Sequence, residues 1–258
     1  MNDEQEILYE VSDNGVAQIT LNRPAKLNAA TPQMSKTLIN LVRQVDEDHN
    51  IRVLIFTGTG RSFSVGSDIA ELNSYASHWD FRNRRDYCDA IRSLRKPIIA
   101  VINGYAYGGG LELALSADVR LAAESATFCA AEIKLGWTGG GGVSALLTAN
   151  VAATDAALIL LTGDPIASQE ALRMGIVSRV IPDDKVLAEG RQLAATIASR
   201  PPIATQTAKA NLRASLSMGL EPAIQYEREL QTICMATADA AEGRAAFTEK
   251  RPGRFVGR

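Results

Sequence analysis

An α/β fold with one large core is what this sequence predicts, and three observations carry the prediction. Short β-branched runs at 53–56, 97–102, 119–123 and 177–181 alternate with longer segments of helical apolar spacing. The 258 residues suffice for one large core, or for one core and a small appendage. From residue 186 to about 249 the pattern is almost wholly helical, broken at Pro201-Pro202 and again at 219–222. The apolar faces of such a tail need covering, by another element or another subunit. The expected organisation is a core domain over 1–195 followed by a C-terminal helical region over 196–258.

Composition excludes several classes. With 46% hydrophobic and 22% charged residues, and 27 basic against 29 acidic side chains for a net charge of −2, the chain reads as an ordinary soluble globular protein. No basic excess points to nucleic acid. Residues 1–10 are polar and acidic, unlike a signal peptide, and no run approaches a membrane span, so a cytoplasmic protein is expected. Cys88, Cys129 and Cys234 are scattered, in neither a disulfide nor a zinc pattern, and are read as packing residues. No metal site is expected.

The elements follow in order. Residues 7–11 and 16–21 alternate around Asp13-Asn14-Gly15, a hairpin signal. Thr31 before Pro32 gives a helix cap and a first-turn proline, and Met34, Leu38, Leu41, Val42 and Val45 fall at helical spacing. The strand at 53–56 opens into a long loop, 57–68, of the kind that carries function. From Asn73 to Arg95 a mobile flap is expected to lead into a half-buried helix with Tyr87, Ile91 and Leu94 on one face. Arg82, Arg84 and Arg85 there are balanced by Asp80, Asp86 and Asp89, which reads as a solvated face. Helices are expected near 143–147 and 156–161, broken by Thr162-Gly163-Asp164-Pro165, and Ser168 is expected to cap the next one.

The stretch from 96 to 142 is the chemical centre. A buried strand is closed by Asn103-Gly104, and Gly108-Gly109-Gly110 precede Leu111, Leu113, Ala114, Leu115 and Ala117, so the glycines head a buried helix. Bare amides at a helix start favour a developing negative charge, and glycine lets a ligand approach the backbone. Glu112 falls in the first turn of that helix, and Glu132 precedes a second glycine run at 139–142. Two readings of each acid stand: Glu112 as a dipole-stabilising charge or a catalyst, and Glu132 as a solvent-facing loop residue or a catalyst. His49 and His78, the only histidines, lie in no metal or triad pattern and are read as surface residues. The loop at 58–67 lacks both the phosphate-loop lysine and the dinucleotide fingerprint.

These residues carry a resemblance. The segments NRPAKLNA, RSFSVGSDIAEL, KPIIAVINGYAYGGGLELALSADVRLAAESATFCAAEIKLG, LTGDPIASQEALRMGIVSRVIP and AAFTEKR resemble the crotonase superfamily, the enoyl-CoA hydratase/isomerase family. The resemblance spans nearly the whole chain. It implies a spiral of ββα turns, a C-terminal helical region involved in trimerisation, commonly a dimer of trimers, and acyl-CoA thioesters as substrates. No resident cofactor is implied, since coenzyme A belongs to the substrate, and the setting would be fatty acid metabolism.

Position by position, the resemblance implies an oxyanion hole from the backbone N–H groups of Ser67 and Gly109, with Ser67 standing where alanine is usual. Fixed donors of this kind stabilise the charge that grows on a thioester oxygen, and losing one costs about 3 kcal/mol of barrier. It implies Glu112 and Glu132 as the acid–base pair that adds water across a 2-enoyl thioester, Glu112 as base toward water and Glu132 as acid at Cα. It also suggests Lys26, Ala29, Arg61, Ser64 and Asp68 near the CoA arm, with Phe247 and Lys250 reaching in from a neighbouring subunit of a homotrimer or homohexamer. Departures from the family pattern are Ala131, where proline usually precedes the second glutamate, and the loop after Gly136, which lacks its usual proline and is read as more flexible. Trp137 in that loop has two readings, lining the acyl pocket or capping the core, and packing is the one expected. The same machinery could serve a carnitinyl-CoA-type dehydratase or a Δ3,Δ2-enoyl-CoA isomerase. Outside enzymes, a non-catalytic acyl-CoA-fold protein that binds RNA or a partner is the alternative, and the retained pair of acids argues against it.

Overall fold

The computed structural model describes residues 5–258, without the side chains of 72–74. The first residues of the polar opening stretch, 1–4, and the side chains of 72–74 at the start of the expected flap lie outside the described residues.

The hairpin forms as read. Strands β1 (Ile7–Val11) and β2 (Val16–Leu21) pair antiparallel, with Ile7 opposite Leu21 and Val11 opposite Ala17. Thr31 caps α1 (Pro32–Glu47) by accepting from the Met34 N–H at 3.0 Å. Met34, Leu38, Val42 and Val45 of that helix are buried, and Leu41 is partly so.

After β3 (Val53–Gly58) the structure departs from the sequence reading. The expected loop contains a short strand, β4 (Ser62–Ser64). Helices α2 (His78–Arg82) and α3 (Tyr87–Ser93) follow, then β5 (Ile98–Ile102), β6 (Tyr105–Tyr107) and α4 (Gly109–Leu115). Next come β7 (Val119–Ala123), β8 (Thr127–Cys129), a 3₁₀ turn at Ala131–Leu135, α5 (Val143–Asn150) and α6 (Ala153–Thr162). Strand β9 (Ile166–Ala167), α7 (Ser168–Met174) and β10 (Arg179–Ile181) lead into α8 (Val186–Ala198), α9 (Pro202–Ser215), α10 (Leu220–Met235) and α11 (Ala238–Glu249).

The strands build two sheets. The larger runs β1-β2-β3-β5-β7-β10 and is parallel apart from the opening hairpin; the smaller runs β4-β6-β8-β9, parallel until β9 returns antiparallel. The chain visits them alternately, β3 then β4, β5 then β6, β7 then β8, with helical structure after each pair. This is a spiral of ββα turns. Three-residue strands are too short to show alternation, so the run at 62–64 reads as loop in the sequence. They nevertheless set the site: β4, β6 and β8 are parallel neighbours, so their carboxyl ends open along one edge, where α/β proteins gather ligands.

Other local readings are corrected. Ser168 does not cap α7, because Ala167 holds that position and the buried Ser168 hydroxyl donates instead to the Glu124 carbonyl at 2.7 Å. The charged segment after Ser77 is two short helices rather than one, with α3 capped by Asp86, which accepts from the Cys88 N–H at 2.8 Å. Tyr87, Ile91 and Leu94 are buried as expected. The expected domain division at 195/196 falls inside α8, whose Ala194 and Ala198 are buried against the core. The helices beyond it are tied to the core by Lys209 of α9, whose ammonium donates to the Lys96 carbonyl at 2.7 Å and pairs with Asp118 at 2.8 Å. Burial pulls that lysine down to about 8. His49 and His78 are exposed, and all three cysteines are free, with Cys88 and Cys129 buried. No helix among the described residues is long and apolar enough to cross a membrane.

Candidate active site

Two unengaged amides meet where β4 and β6 end. Ala30 bridges to the chain beyond β4: its N–H donates to the Gly66 carbonyl at 2.7 Å, and its carbonyl accepts from the Asp68 N–H at 2.9 Å. In this parallel pairing the Ser67 N–H points to the opposite side and, among the described residues, has no acceptor. Gly109 opens α4, so its N–H is one of the donors a helix leaves unpaired at its start. The two lie side by side. A Cβ on Gly109 would sit 3.7 Å from the Ser67 nitrogen, and one on Gly66 would sit 2.6 Å from the Gly109 nitrogen. Gly66, at φ +91°, is therefore required both by its backbone conformation and by the closeness of that amide.

Asn28 holds this arrangement from behind. It is fully buried; its Oδ1 accepts from the Arg23 N–H at 2.8 Å, and its Nδ2 donates to the carbonyls of Thr59 at 2.9 Å and Ser62 at 2.7 Å. One side chain thus joins the turn after β2 to the two ends of the loop before β4. Sequence reasoning missed Asn28 and Gly66. Only the position of Gly66, just before an unpaired amide, could have flagged it.

Of the two glutamates, Glu112 is buried and Glu132 half-buried. Glu112 is 6% exposed, and its Oε1 accepts from the Gly141 N–H at 2.8 Å and the Val143 N–H at 3.3 Å. A Cβ on Gly139 or Gly141 would come within 2.6 or 2.5 Å of its carboxylate oxygens, so the glycine run makes room for this acid. Glu132 stands in the 3₁₀ turn after β8. Its Oε2 is buried without a partner, and its Oε1 is 3.0 Å from where a Cβ on Gly108 would be. Glu112 is thus held by loop amides as well as lying in the first turn of α4, and one oxygen of the half-buried Glu132 is turned away from solvent.

Burial pushes both carboxyls above the usual range. For Glu112 the Gly141 and Val143 amides pull back, while the charge of Glu132 pushes further up; for Glu132 only its own backbone amide opposes burial. Both shifts run upward, and the two acids differ in their hydrogen bonds: Glu112 accepts from two amides, and the Glu132 Oε2 from none.

A narrow cavity of ≈ 40 Å³ lies over this edge, reached by Ser67, Glu112, Tyr87, Tyr75, Phe81 and Arg84. The Tyr87 hydroxyl, pushed well up by burial, donates to the Gly109 carbonyl at 3.5 Å. Arg84 lies 4.2 Å over the Phe81 ring and pairs with Asp86 at 3.1 Å. It is therefore part of the cavity wall, against the reading of the whole arginine cluster as a solvated face. Arg84 and Tyr87 as site neighbours were not legible in sequence, because Arg84 lies in the bend between α2 and α3 and Tyr87 is aimed by the way that bend sets the start of α3.

Comparison with known proteins settles the family. The model of the family described as enoyl-CoA hydratase/isomerase matches residues 11–258. The chain belongs to the enoyl-CoA hydratase/isomerase family. It is 38% identical over 244 residues to the 2,3-dehydroadipyl-CoA hydratase of Escherichia coli, covering 94% of this chain and 96% of that one. It is 34% identical over 253 residues to the mitochondrial enoyl-CoA hydratase of Pongo abelii, covering 94% and 84%. Among solved structures, the enoyl-CoA hydratase from Bacillus anthracis superposes with a TM-score of 0.93 at 32% identity, over 98% of this chain and 100% of that one. The spiral described above is the fold of that family.

The remaining expected site residues of this family member are placed unevenly. Lys26 and Arg61 are exposed, with the Arg61 guanidinium 5.8 Å from the Tyr105 ring centroid. Ala29 is buried just before the bridge at Ala30. Ser64 is buried, and its hydroxyl donates to the Asn28 carbonyl at 2.9 Å and accepts from the Gly66 N–H at 3.2 Å. Asp68 pairs with Arg23 at 3.0 Å and caps the turn at Ala70. The side chains of Ser64 and Asp68 are therefore engaged within the protein, shaping the loop that carries Ser67 rather than standing ready for a ligand. Phe247 in the last turn of α11 and Lys250 just after it are exposed, and neither lines the cavity. Trp137 is 42% exposed, so the packing role expected for it is corrected: it follows a left-handed turn at Gly136 that carries it outward. Among the described residues no group of three or more His, Cys, Asp or Glu side chains could hold a metal ion.

Proposed function

We propose that this protein adds water reversibly to 2-enoyl-CoA thioesters, giving 3-hydroxyacyl-CoA. The observation that carries this reading is a buried acid, Glu112, held by two amides, and a half-buried acid, Glu132, whose inner oxygen has no partner, beside two unengaged amides. The thioester oxygen accepts from Ser67 and Gly109 N–H. Water lies near Glu112, which is ionised and takes its proton as the oxygen attacks Cβ. The electron pair displaced onto the thioester makes an enolate, whose charge the two amides hold without reorganising. Glu132, protonated, delivers the proton at Cα. One carboxylate could not do both jobs in one passage, since each needs the opposite protonation state. Coenzyme A enters as part of the substrate, with Lys26 and Arg61 as the exposed cations for its phosphates.

The test is the loss of conjugated-thioester absorbance across a panel of 2-enoyl-CoA esters of different chain length. Hydration of at least one is expected. Turnover confined to 3-enoyl-CoA esters would replace this reading with isomerisation, and no turnover at all would leave a binder.

Assembly is part of the proposal. Phe247 is 87% exposed and Leu220 75%, which is a large apolar surface for a folded chain to leave in water. The reading supported is a homotrimer, or a homohexamer built from two, in which Phe247 and Lys250 complete a neighbour's CoA site. Sedimentation at micromolar concentration should find no fully active monomer; finding one would end this part of the reading. Free buried cysteines suit a reducing compartment, so a cytoplasmic location is proposed.

A further inference from the structure

The four glycines at 139–142 pose a physical problem. Glycine offers no side chain to anchor a loop and has more conformations to lose than any other residue, and Thr138 before them supplies no proline ring. Yet Gly141 within this run, and Val143 just after it, supply both donors to Glu112. The anchor comes from α3. Arg92 Nη1 donates to the Gly141 carbonyl at 2.5 Å. The same nitrogen is 3.4 Å from the Ser116 hydroxyl, which in turn donates to the Glu112 backbone carbonyl at 2.8 Å. Asp89, one turn earlier on α3, pairs with Nη2 and aims the guanidinium. Arg92 thus grips both the loop that solvates the Glu112 carboxylate and the helix that carries it, without touching the carboxylate.

We propose that Arg92 is a positioning residue of this site: by holding the Gly141 carbonyl it fixes the glycine loop, and with it the two amides that orient Glu112. The role in catalysis rests on the reading of Glu112 as base toward water. A guanidinium suits the task because its donors form a rigid, permanently charged fork that can hold a carbonyl and a carboxylate together. Glu112 then responds to the order of the loop. Its ionised form is favoured by the two amides and opposed by burial and by the charges of Glu132 and Asp86; the buried Tyr87 and Cys88 are the other titratable groups that face it. Arg92 itself faces Asp89, Cys88 and, from α9, Arg213.

The experiment compares the wild type with Arg92→Met, which keeps the aliphatic stem, and Arg92→Lys. In the resting protein, the Gly141 and Val143 amides should exchange faster in Arg92→Met, and the Glu112 carboxyl, followed by carbon NMR, should titrate at higher pH. In turnover, kcat should fall about tenfold to a hundredfold with little change in KM, as expected when a reacting group loses its alignment. The acid limb of the kcat profile should move up in pH alongside the NMR titration. Arg92→Lys should recover part of each effect, since one ammonium can reach the carbonyl but cannot also hold Asp89 in the same fork. Exchange and titration need no turnover, so a wild type that hydrates no enoyl thioester would end the functional reading while still judging Arg92. Should Arg92→Met not fold, Arg92→Lys carries the same two measurements. Unchanged amide exchange and an unchanged Glu112 titration in a folded variant would overturn the proposal.

Discussion

Glu112→Gln and Glu132→Gln should each lower hydration of a short 2-enoyl-CoA by about 10²–10⁴-fold, the range for loss of a positioned acid or base. Thioester binding should survive in both, because it is made by backbone amides and the CoA arm. Glutamine preserves the shape: at position 112 it can still accept from Gly141 and Val143, but it cannot take a proton from water. At position 132 it cannot deliver one to Cα. The double variant should be little worse than the worse single one, since both acids act in one transition state. The pH dependence follows from the direction of the shifts. Glu112 must be ionised, so hydration should fall as pH drops through its raised pKa; Glu132 must be protonated, so hydration should fall again as pH rises through its own. The resulting bell belongs to the pair, because the two titrations are coupled. Steady-state kinetics on the three variants, with calorimetry for binding, checks this, and wild-type hydration by either single variant would falsify the two-acid mechanism.

Gly66→Ala should be nearly as damaging at a residue with no functional group. The new methyl would sit 2.6 Å from the Gly109 nitrogen, over the amide assigned to the thioester oxygen. Losing one oxyanion donor typically costs about 10²–10³-fold in kcat. The backbone also sits at φ +91°, which alanine adopts at a cost of about 1–3 kcal/mol, so a lower melting temperature should accompany the kinetic loss. The measurement is kcat and the melting temperature together. A folded variant with wild-type kcat would remove the Gly109 amide from the oxyanion hole.

Much of the architecture was legible in the chain itself. The opening hairpin, the Thr31 cap, the buried strand before Asn103-Gly104 and the glycine-headed helix each have a local cause: turn chemistry, a side-chain cap, a β-branched run, an unpaired helix start. Such causes act within a few residues, and a sequence displays them directly. The family motifs extended that reading to Glu112 and Glu132 and to the Ser67 and Gly109 amides. Where local chemistry was ambiguous the reading failed, as at Ser168, whose hydroxyl turned inward to Glu124, and at Trp137, which the Gly136 turn carries outward.

Only the tertiary structure could decide what those residues face. The second sheet rests on three-residue strands whose pairing is entirely nonlocal, and its parallel order is what brings Ser67, Gly109 and Glu132 to one edge. The different states of the two acids are likewise nonlocal: Glu112 is given its donors by a loop 29 residues further along the chain, while the Glu132 Oε2 is left with none. Asn28, Gly66 and Arg92 act through backbone groups distant in sequence, and nothing in their own neighbourhoods announces those partners. The sequence by itself determined which residues could do this chemistry and which short segments would be regular. Burial and the pairing of distant backbone groups, which exist only once the chain has closed on itself, decided how each of them is solvated and oriented.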